Sequence, residues 1–586
     1  MKGTLLLSTV IGLFVACAKP VTLPINMTGT YLTEPPVDSP HIAWDYTTLR
    51  KIAPLPGQAA GYCGYARLIQ RADHTLLCVY EASGSVELVR STDGGNTWSG
   101  RVVVAAREPG VSMAVPEIVE LADQSLLVSY NPRPGRTATG KRFGIRTIKS
   151  YDGGASWTDR RLVYEAGVSF DNGCWEPVAM QLPSGEVQLY FSDEGVYTTS
   201  NEQNISLMRS ADGGLTWTAR PEIVSFRAGK RDGMPVPIVL NGTDVAFSIE
   251  DNVQTAFKPY IIRNSIADNW QSGPVGGDNP NRTYALSQPL SETVYAGAPY
   301  LRQLQSGATI LGVQSTENRI NNRLAVSRLV VYVGDRDARN FKQPTEPFLI
   351  QPTHSGLWNS LSVLRGDTVV ALTSTKSYGG ANPEVWMIKG YVIPEQVASF
   401  SSVTVDGELG RAEWPATLPI FIGHRGPAQL RAGFAYTDTY LFVGVQVADR
   451  LLKTDSPTPL DDDGIWLGLD VINTLTTASG SQKIQLLISA DGRLLVRKGA
   501  VTDWVPYAGL GREIRLVLRK TSAGYVAELA VPWTLVGGKP TSRSAIRYTL
   551  GLLNDDDGAA IDYTDNLGER VNNEEIIWQA LRLADK

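Results

Sequence analysis

Histidine, cysteine and basic charge are what this sequence has least of. Its 586 residues include only 4 His and 4 Cys, and the formal net charge at pH 7 is -5. No two cysteines form a C-x-x-C pair, so the sequence predicts neither a zinc site nor a histidine metal centre. The acidic balance offers no basic surface for nucleic acid. We therefore expect no cofactor and no nucleic-acid partner.

Long apolar runs are also missing, since the longest candidate, Thr4–Ala16, is too short to span a bilayer. It ends in small residues before Cys17, which resembles a bacterial lipobox. We expect residues 1–17 to be a lipoprotein signal peptide and Cys17 to be lipidated. Ala18, which is not Asp, favours the outer membrane. The alternative is cleavage by an ordinary signal peptidase beside the same cysteine. Lipidation would leave three cysteines, of which at most two can pair: Cys63, Cys78 and Cys174.

Three octapeptides of the form S-x-D-G-G-x-x-W recur at a constant period. They are Ser91–Trp98, Ser150–Trp157 and Ser210–Trp217, 59 and 60 residues apart, with a degenerate fourth copy at Asn264–Trp270. Asp caps turn amides, Gly-Gly permits positive φ, and Trp packs between sheets. Three copies at one period are typical of the Asp-boxes of sialidase-like propellers. We expect the boxes to be structural.

A second repeat of apolar strand, turn and apolar strand marks the start of each propeller blade. The six copies are Tyr65–Glu81, Glu117–Asn131, Glu176–Glu194, Met234–Glu250, Pro299–Glu317 and Trp358–Ser374. They predict an all-β, six-bladed propeller over residues 40–395. The stretch His41–Ile52 is expected to complete the last blade and close the ring.

A different pattern begins after residue 402. Apolar and polar residues alternate through Leu441–Val445 and Ile465–Asp470, which indicates an antiparallel β-sandwich over residues 402–586. With Val403–Glu408 and Ala527–Trp533, these strands resemble the family 9 carbohydrate-binding modules. Three tryptophans are candidates for sugar stacking or, alternatively, for the core: Trp466, Trp504 and Trp578. Two acidic triplets are candidates for structural Ca²⁺ or, alternatively, for solvated turns: Asp461–Asp463 and Asp555–Asp557.

The propeller repeat also predicts a pocket. The first strand of a blade starts on the face to which the second strand returns, so residues at those ends converge on the axis. The residues read from these positions are rich in carboxylates and suit a sugar: Arg67, Glu81, Glu117, Asn131, Arg133, Trp175, Glu176, Asp193, Glu194, Asp232, Glu250, Tyr300, Glu317, Trp358 and Asn359.

Two of these carboxylates are candidates for catalysis. Hydrolysis of a glycosidic bond needs one protonated carboxyl to help the leaving group depart and another to attack or to activate water. Glu176 begins its strand beside Trp175, and Glu250 ends an apolar strand at an open loop. Their shared placement makes Glu176 and Glu250 the predicted catalytic pair.

The ordered motifs Trp175–Pro177, Leu189–Glu194, Gly233–Pro235 and Ser248–Glu250 resemble the family 93 glycoside hydrolases. The resemblance implies an exo-acting α-1,5-L-arabinanase with a retaining mechanism carried by two glutamates. Glu176 and Glu250 match those positions, with Glu250 slightly favoured as acid/base. One departure is Tyr65-Ala66-Arg67, where the family tends to have proline before the arginine.

Other functions stay open on the residues alone. A non-catalytic glycan-binding propeller needs no carboxyl pair. An exo-sialidase needs three arginines, for which Arg67, Arg133 and Arg231 are available. A polysaccharide lyase needs a Tyr or His base, and of the propeller histidines His354, unlike His74, is placed to reach the pocket. We expect an oligosaccharide or polysaccharide partner and a monomer.

Overall fold

The computed structural model describes residues 40–584 except 136–137, 139, 395, 411, 415–417, 424–426, 460, 472–482, 500–503, 508–511, 541–545, 559–560, 562 and 567–578. The predicted lipidation site Cys17, the predicted signal peptide and the stacking candidate Trp578 lie outside the described residues. In the part that is described, no helix is both long and apolar enough to cross a membrane. The three cysteines there, Cys63, Cys78 and Cys174, are buried and free.

The first half of the propeller consists of four-stranded antiparallel sheets that follow the chain in order. The first strand of the chain, β1 (Pro40–Ala53), belongs to the last sheet. Blades 1 to 3 then contain β2 (Cys63–Gln70), β3 (Leu76–Ala82), β4 (Ser85–Ser91), β5 (Ser99–Ala105), β6 (Val111–Glu120), β7 (Leu126–Pro134), β8 (Gly144–Ser150), β9 (Thr158–Glu165), β10 (Cys174–Gln181), β11 (Val187–Asp193), β12 (Asn204–Ser210) and β13 (Glu222–Ser225).

Blades 4 to 6 repeat this arrangement. They contain β14 (Asp232–Leu240), β15 (Asp244–Asp251), β16 (Lys258–Ser265), β17 (Arg282–Tyr284), β18 (Ala296–Gln303), β19 (Thr309–Ser315), β20 (Arg328–Gly334), β21 (Lys342–Thr345), β22 (Gly356–Val363), β23 (Val369–Thr375) and β24 (Glu384–Pro394). The first strands of successive blades contact one another in a closed ring, so they lie innermost.

The N-terminal strand closes the ring, as predicted from the sequence. β1 pairs antiparallel with β24, in the sheet order β1-β24-β23-β22, and is the outermost strand of blade 6. Trp44 packs against Gly390, where a Cβ atom would come within 2.6 Å of the indole ring. A glycine is therefore required at this point of the closing pair.

The Asp-boxes form the turns that the sequence predicted. In the second box, the Ser150 hydroxyl donates to Asp152 and accepts from the amide of Gly154, both at 2.8 Å. The Ser156 hydroxyl and amide also donate to Asp152, and these hydrogen bonds lower the pKa of its carboxyl to about 2. The box is thus a self-contained turn built around one ionised carboxylate.

Each innermost strand carries a β-bulge at the same place. In all six, the pairing register to the second strand shifts around one non-glycine residue with φ between 44° and 54°. These residues are Tyr65, Val115, Glu176, Met234, Ala298 and Trp358. Proline follows the bulge in four blades, where its missing N–H costs no ladder bond. The bulges ring the axis and turn six side chains away from their strands.

The C-terminal region is a β-sandwich in which β25 joins the two sheets. Its strands are β25 (Val397–Phe400), β26 (Ile420–Ile422), β27 (Gln429–Tyr436), β28 (Tyr440–Ala448), β29 (Gly464–Asp470), β30 (Ile484–Ser489), β31 (Leu494–Gly499), β32 (Trp504–Pro506), β33 (Arg515–Thr521), β34 (Gly524–Pro532), β35 (Ile546–Asn554), β36 (Tyr563–Asn566) and β37 (Gln579–Leu583). β25 runs parallel to β27 of one sheet and to β37 of the other. The predicted fold class, a propeller followed by a sandwich, is confirmed.

Tryptophans and acidic residues of the sandwich are mostly internal. Trp466 and Trp504 are only 7% and 6% exposed, which favours the core alternative for both. Asp462 and Asp463 are fully buried, so the solvated-turn interpretation of that triplet is wrong for these two residues. Asp462 pairs with Arg493, and Asp463 accepts the backbone amide of Asp555 at 2.7 Å.

Candidate active site

The six inner-strand bulges surround a cavity on the propeller axis. It encloses about 320 Å³ and is lined by Arg67, Val115, Glu117, Glu176, Pro177, Val178, Met234, Pro235, Val236, Ala298, Pro299, Tyr300 and Asn359. Residues from blades 1 to 6 all contribute. Five of the predicted pocket residues belong to this lining: Arg67, Glu117, Glu176, Tyr300 and Asn359. Glu250 does not, but its carboxyl group accepts a hydrogen bond from the amide of Ala298, which does.

Glu176 is the bulge residue of blade 3 and points into this cavity. Its Oε1 accepts a hydrogen bond from Arg133 Nη2 at 2.8 Å, and its side chain is 15% exposed. Burial raises the pKa of Glu176, while the Arg133 charge opposes that rise. Arg133 is itself held by Asn131 Oδ1 at 2.6 Å and lies 4.9 Å from the Trp175 ring. Asn131 and Trp175 thus position the cation that stabilises the ionised form of Glu176.

Glu250 occupies a different environment at the end of β15, opposite Gly233. Its Oε2 accepts the backbone amide of Ala298 at 3.0 Å. No lysine or arginine of the described residues lies within ion-pair distance of it. Burial raises the pKa of Glu250 to about 7, the Ala298 hydrogen bond opposes this, and the charge of Glu176 adds to it. Glu250 is therefore a carboxylic acid that keeps its proton close to neutral pH.

The absence of a side chain at Gly297 leaves space for the Glu250 carboxyl group beside the Tyr295 hydroxyl. At Gly297 a Cβ atom would come within 2.5 Å of Glu250 Oε2 and of the Tyr295 hydroxyl oxygen. Any other residue at position 297 would push the carboxyl group away. Burial raises the pKa of Tyr295 well above its usual value, and the nearby Glu250 charge raises it further, so Tyr295 stays a neutral hydrogen-bond donor.

Arg67, Glu117 and Tyr300, three of the predicted substrate-binding residues, bind one another. Arg67 Nε donates to Glu117 at 2.9 Å, and the Tyr300 hydroxyl donates to the same carboxylate at 2.9 Å. Arg302 donates to the Tyr300 oxygen at 2.7 Å. The Glu117 carboxylate is buried and fully partnered, so this cluster forms a fixed wall of the cavity.

Six predicted substrate-binding residues do not line the cavity: Asn131, Arg133, Trp175, Asp193, Asp232 and Trp358. Asp193 and Asp232 are bound to other side chains. Asp193 accepts hydrogen bonds from the Tyr164 hydroxyl at 2.9 Å and the Gly195 amide at 2.8 Å. Asp232 is buried between Arg227 and Arg282. Both carboxylates are thus occupied by structural hydrogen bonds and ion pairs. Their placement in the pocket is therefore corrected.

The aromatic residues form two separate walls. Trp358 stacks on Tyr65, with ring centroids 4.7 Å apart and planes 10° apart. The second pair is Phe170 and Trp175, whose ring centroids lie 4.7 Å apart, and Phe170 is 71% exposed. Asn359 lines the cavity, and its Oδ1 atom is buried without a hydrogen-bond partner among the described residues.

The arginines considered for a sialidase and the histidines considered for a lyase have the following contacts. Arg67 binds Glu117, Arg133 binds Glu176, and Arg231 binds Glu194, so the three arginines serve three different carboxylates. His74 contacts Arg365 in an exposed turn away from the cavity. His354 lines a second cleft beside the cavity.

Sequence reasoning missed several residues that shape the site. Tyr65 and Met234 are bulge residues, Tyr295 neighbours Glu250, and Gln314 Oε1 accepts the Trp358 amide at 2.7 Å. The residue-then-proline pairs Val115-Pro116, Glu176-Pro177, Met234-Pro235 and Ala298-Pro299 were a usable signal for the bulges. The described residues contain no group of three His, Cys, Asp or Glu side chains arranged to hold a metal ion.

Comparison with known proteins gives separate matches for the two regions. Residues 420–578 match the family model described as a carbohydrate family 9 binding domain-like domain, which confirms the resemblance predicted there. A family 9 carbohydrate-binding module from Caldicellulosiruptor kristjanssonii in complex with cellotriose is 16% identical, covers 33% of this chain and 94% of that chain, and has a TM-score of 0.28. No curated protein matches the chain.

Solved structures similar to the propeller include family 93 enzymes. The GH93 α-L-arabinofuranosidase of Fusarium graminearum in complex with arabinobiose is 19% identical, with a TM-score of 0.45, and the match covers 58% of this chain and 98% of that chain. The α-L-arabinanase of Penicillium chrysogenum complexed with arabinobiose is also 19% identical, with a TM-score of 0.40 and coverage of 61% and 98%.

Proposed function

We propose that this protein is an exo-acting, retaining glycoside hydrolase that cleaves α-1,5-linked L-arabinan. The observation that carries the proposal is the unequal environment of two glutamates beside one cavity. Glu176 pairs with Arg133, whereas no lysine or arginine of the described residues lies within ion-pair distance of Glu250, whose pKa is about 7. Acid-assisted cleavage of a glycosidic bond needs one ionised and one protonated carboxyl group, and different environments can give two glutamates these different states.

The environments assign the roles. Ionised Glu176 attacks the anomeric carbon while Glu250 donates its proton to the departing glycosidic oxygen, which leaves as an alcohol. A glycosyl ester on Glu176 results. Ionised Glu250 then takes a proton from water as that water attacks the anomeric carbon and releases Glu176. The substrate class follows from the ordered family 93 motifs in the sequence.

The test uses purified protein on debranched arabinan, with Glu176→Gln and Glu250→Gln as variants. Glu87→Gln is the matched control, because Glu87 is a buried glutamate of blade 1 that binds Arg101 away from the cavity. Azide should yield a glycosyl azide of inverted configuration with Glu176→Gln and of retained configuration with Glu250→Gln. Near-normal activity in both catalytic variants would exclude the proposal, and exchanged azide products would reverse the roles.

We also propose that lipidation of Cys17 anchors the protein in the outer membrane and that the sandwich domain binds the polymer. The small residues before Cys17 support the anchor, and the family match at residues 420–578 supports the binding role. Cys17→Ser should move the protein out of the membrane fraction. A membrane-bound Cys17→Ser variant, or a mature wild-type protein without lipid, would refute the anchor.

A further inference from the structure

A second cleft adjoins the catalytic cavity on the side of blade 6. It encloses about 580 Å³, and its lining includes Tyr62, His354, Trp358 and Lys376. Trp358 links the two spaces, because Asn359, the next residue, lines the cavity. The Trp358 amide donates to Gln314 Oε1 at 2.7 Å and its ring stacks on Tyr65, so this shared wall is fixed.

The charge of this cleft is opposite to that of the cavity. Lys376 is exposed and His354 is half-buried, and no Asp or Glu belongs to the lining formed by the described residues. Lys376 Nζ makes no ion pair within the described part of the chain. The Thr353 hydroxyl lies 3.4 Å from His354 Nδ1, which leaves Nε2 available to a ligand.

A half-buried arginine, Arg319, holds the loop that carries His354. Arg319 donates to the carbonyl oxygens of Val326 at 2.6 Å, Ile350 at 2.9 Å and His354 at 2.9 Å. These hydrogen bonds hold the loop, and the Arg319 guanidinium donates them to neutral carbonyl groups rather than to a carboxylate. His354 and Lys376 both line the cleft, whose walls also include Tyr62 and Trp358.

Two acidic residues near the lining are engaged with other cations. Glu384, which follows the lining residue Pro383, pairs with Lys51, and Glu81, whose charge acts on Tyr62, is under the influence of Arg133. Burial, together with the charge of Glu81, raises the pKa of Tyr62 well above its usual value. The Tyr62 phenol is therefore a neutral donor, and the cleft presents the Lys376 ammonium group, hydrogen-bonding groups and the Trp358 ring.

We propose that this cleft binds a sugar that carries an anionic group, a carboxylate or a sulfate. The sugar ring packs on Trp358, and the anionic group lies between Lys376 and His354. An aromatic face with a flanking cation suits a ring that is apolar on one face and charged at its edge. The inference rests on the proposed function only in that a neutral polysaccharide chain would occupy the adjoining cavity.

The experiment measures binding without turnover, using the full chain and three probes: D-galacturonate, D-galactose 6-sulfate and D-galactose. Dissociation constants come from ligand-observed NMR at low salt. At least one acidic sugar should bind about fivefold more tightly than galactose, the size of effect that one exposed charge pair gives. Lys376→Gln should remove that preference, and added salt should weaken it.

Lys342→Gln is the control, because Lys342 is an exposed lysine on the outer strand of blade 5. It should leave all three constants unchanged. Preference for the carboxylate alone or the sulfate alone supports the proposal and identifies the group. Equal binding of acidic and neutral sugars, or a preference that survives Lys376→Gln, overturns it. Activity of Lys376→Gln on neutral arabinan should be unchanged, so this proposal and the proposed function can fail separately.

Discussion

Two glutamates of the propeller, Glu117 and Glu250, show how neighbours decide the work of one side chain. Both are close to the central cavity. Glu117 binds Arg67 and Tyr300 and is 5% exposed, so its charge is compensated and its oxygens are occupied. Glu250 has the Ala298 amide and the Tyr295 hydroxyl beside it but no ion-pair partner among the described residues, and its pKa is about 7. The contacts of Glu117 stabilise the fold, whereas those of Glu250 favour a protonated carboxyl group, which the proposed mechanism uses as the acid.

The largest effect should come from removing the proton donor. Glu250→Gln should lower kcat on arabino-oligosaccharides by about 10²- to 10⁴-fold, because the leaving alcohol then departs without a positioned acid. The loss should be much smaller on an aryl arabinoside whose phenolate leaves unaided. Steady-state kinetics on both substrates measure the difference, and equal losses on the two would argue against an acid role for Glu250.

The compensated glutamate should affect stability instead. Glu117→Ala leaves the Arg67 charge buried without its partner, which should cost about 3–5 kcal/mol of unfolding free energy. Glu120→Ala is the control, since its pair with Arg71 is partly solvated and should contribute about 1 kcal/mol or less. Denaturant titration compares the two. Similar losses of unfolding free energy in the two variants would show that the buried ion pair of Glu117 stabilises the fold no more than a partly solvated pair does.

The stored proton should also be visible in stability against pH. The pKa of Glu250 is about 7 in the folded protein against 4.5 for a free side chain, so the unfolded chain releases this proton at lower pH. The contribution of Glu250 to stability therefore falls as pH rises from about 4.5 to about 7 and is then constant. Relative to wild type, Glu250→Gln should gain on the order of 3 kcal/mol between pH 4 and pH 8. A pH-independent difference would contradict the raised pKa.

A third buried glutamate, Glu528, extends the comparison to the sandwich. Its substitution should give the smallest change in stability of the three glutamates. Glu528 is fully buried and accepts hydrogen bonds from the amides of Asp406 and Gly407 and from Trp414 Nε1 at 2.7–2.9 Å. Glu528→Gln should lower the stability of the sandwich by about 1–3 kcal/mol, because one acceptor becomes a donor. Hydrolysis of short oligosaccharides should be unchanged. A loss of turnover would show that the sandwich supports the active site directly.

The sequence predicted most features of the fold that recur from blade to blade. Asp-box spacing indicated the blades, and the strand-like stretch near Trp44 indicated how the ring closes. Both depend on local turn chemistry and periodicity, which leave a mark in the sequence. Glu176 and Glu250 could be named for the same reason, since they lie at fixed places in the repeat.

What the sequence could not give depends on the bulges and on contacts between blades. Reading the strand ends as cavity-facing assigned Asp193 and Asp232 to the pocket, but their side chains bind Tyr164 in one case and Arg227 and Arg282 in the other. The partners that separate Glu117 from Glu250 come from other blades: Arg67 lies 50 residues before Glu117, and Ala298 lies 48 residues after Glu250. Such distant pairs follow no local pattern.

The closure of the ring by β1 also has a mechanical consequence. Pro40, at the start of β1, pairs with Pro394, at the end of β24, so the chain enters and leaves the propeller at one point. If Cys17 is held at a membrane and the sandwich grips a polymer, tension would pull these two ends apart. In antiparallel strands loaded from the same end, hydrogen bonds break one after another, as in a zipper. Blade 6 would therefore yield first, and the strands that hold Glu176 and Glu250, in blades 3 and 4, would be shielded from the load.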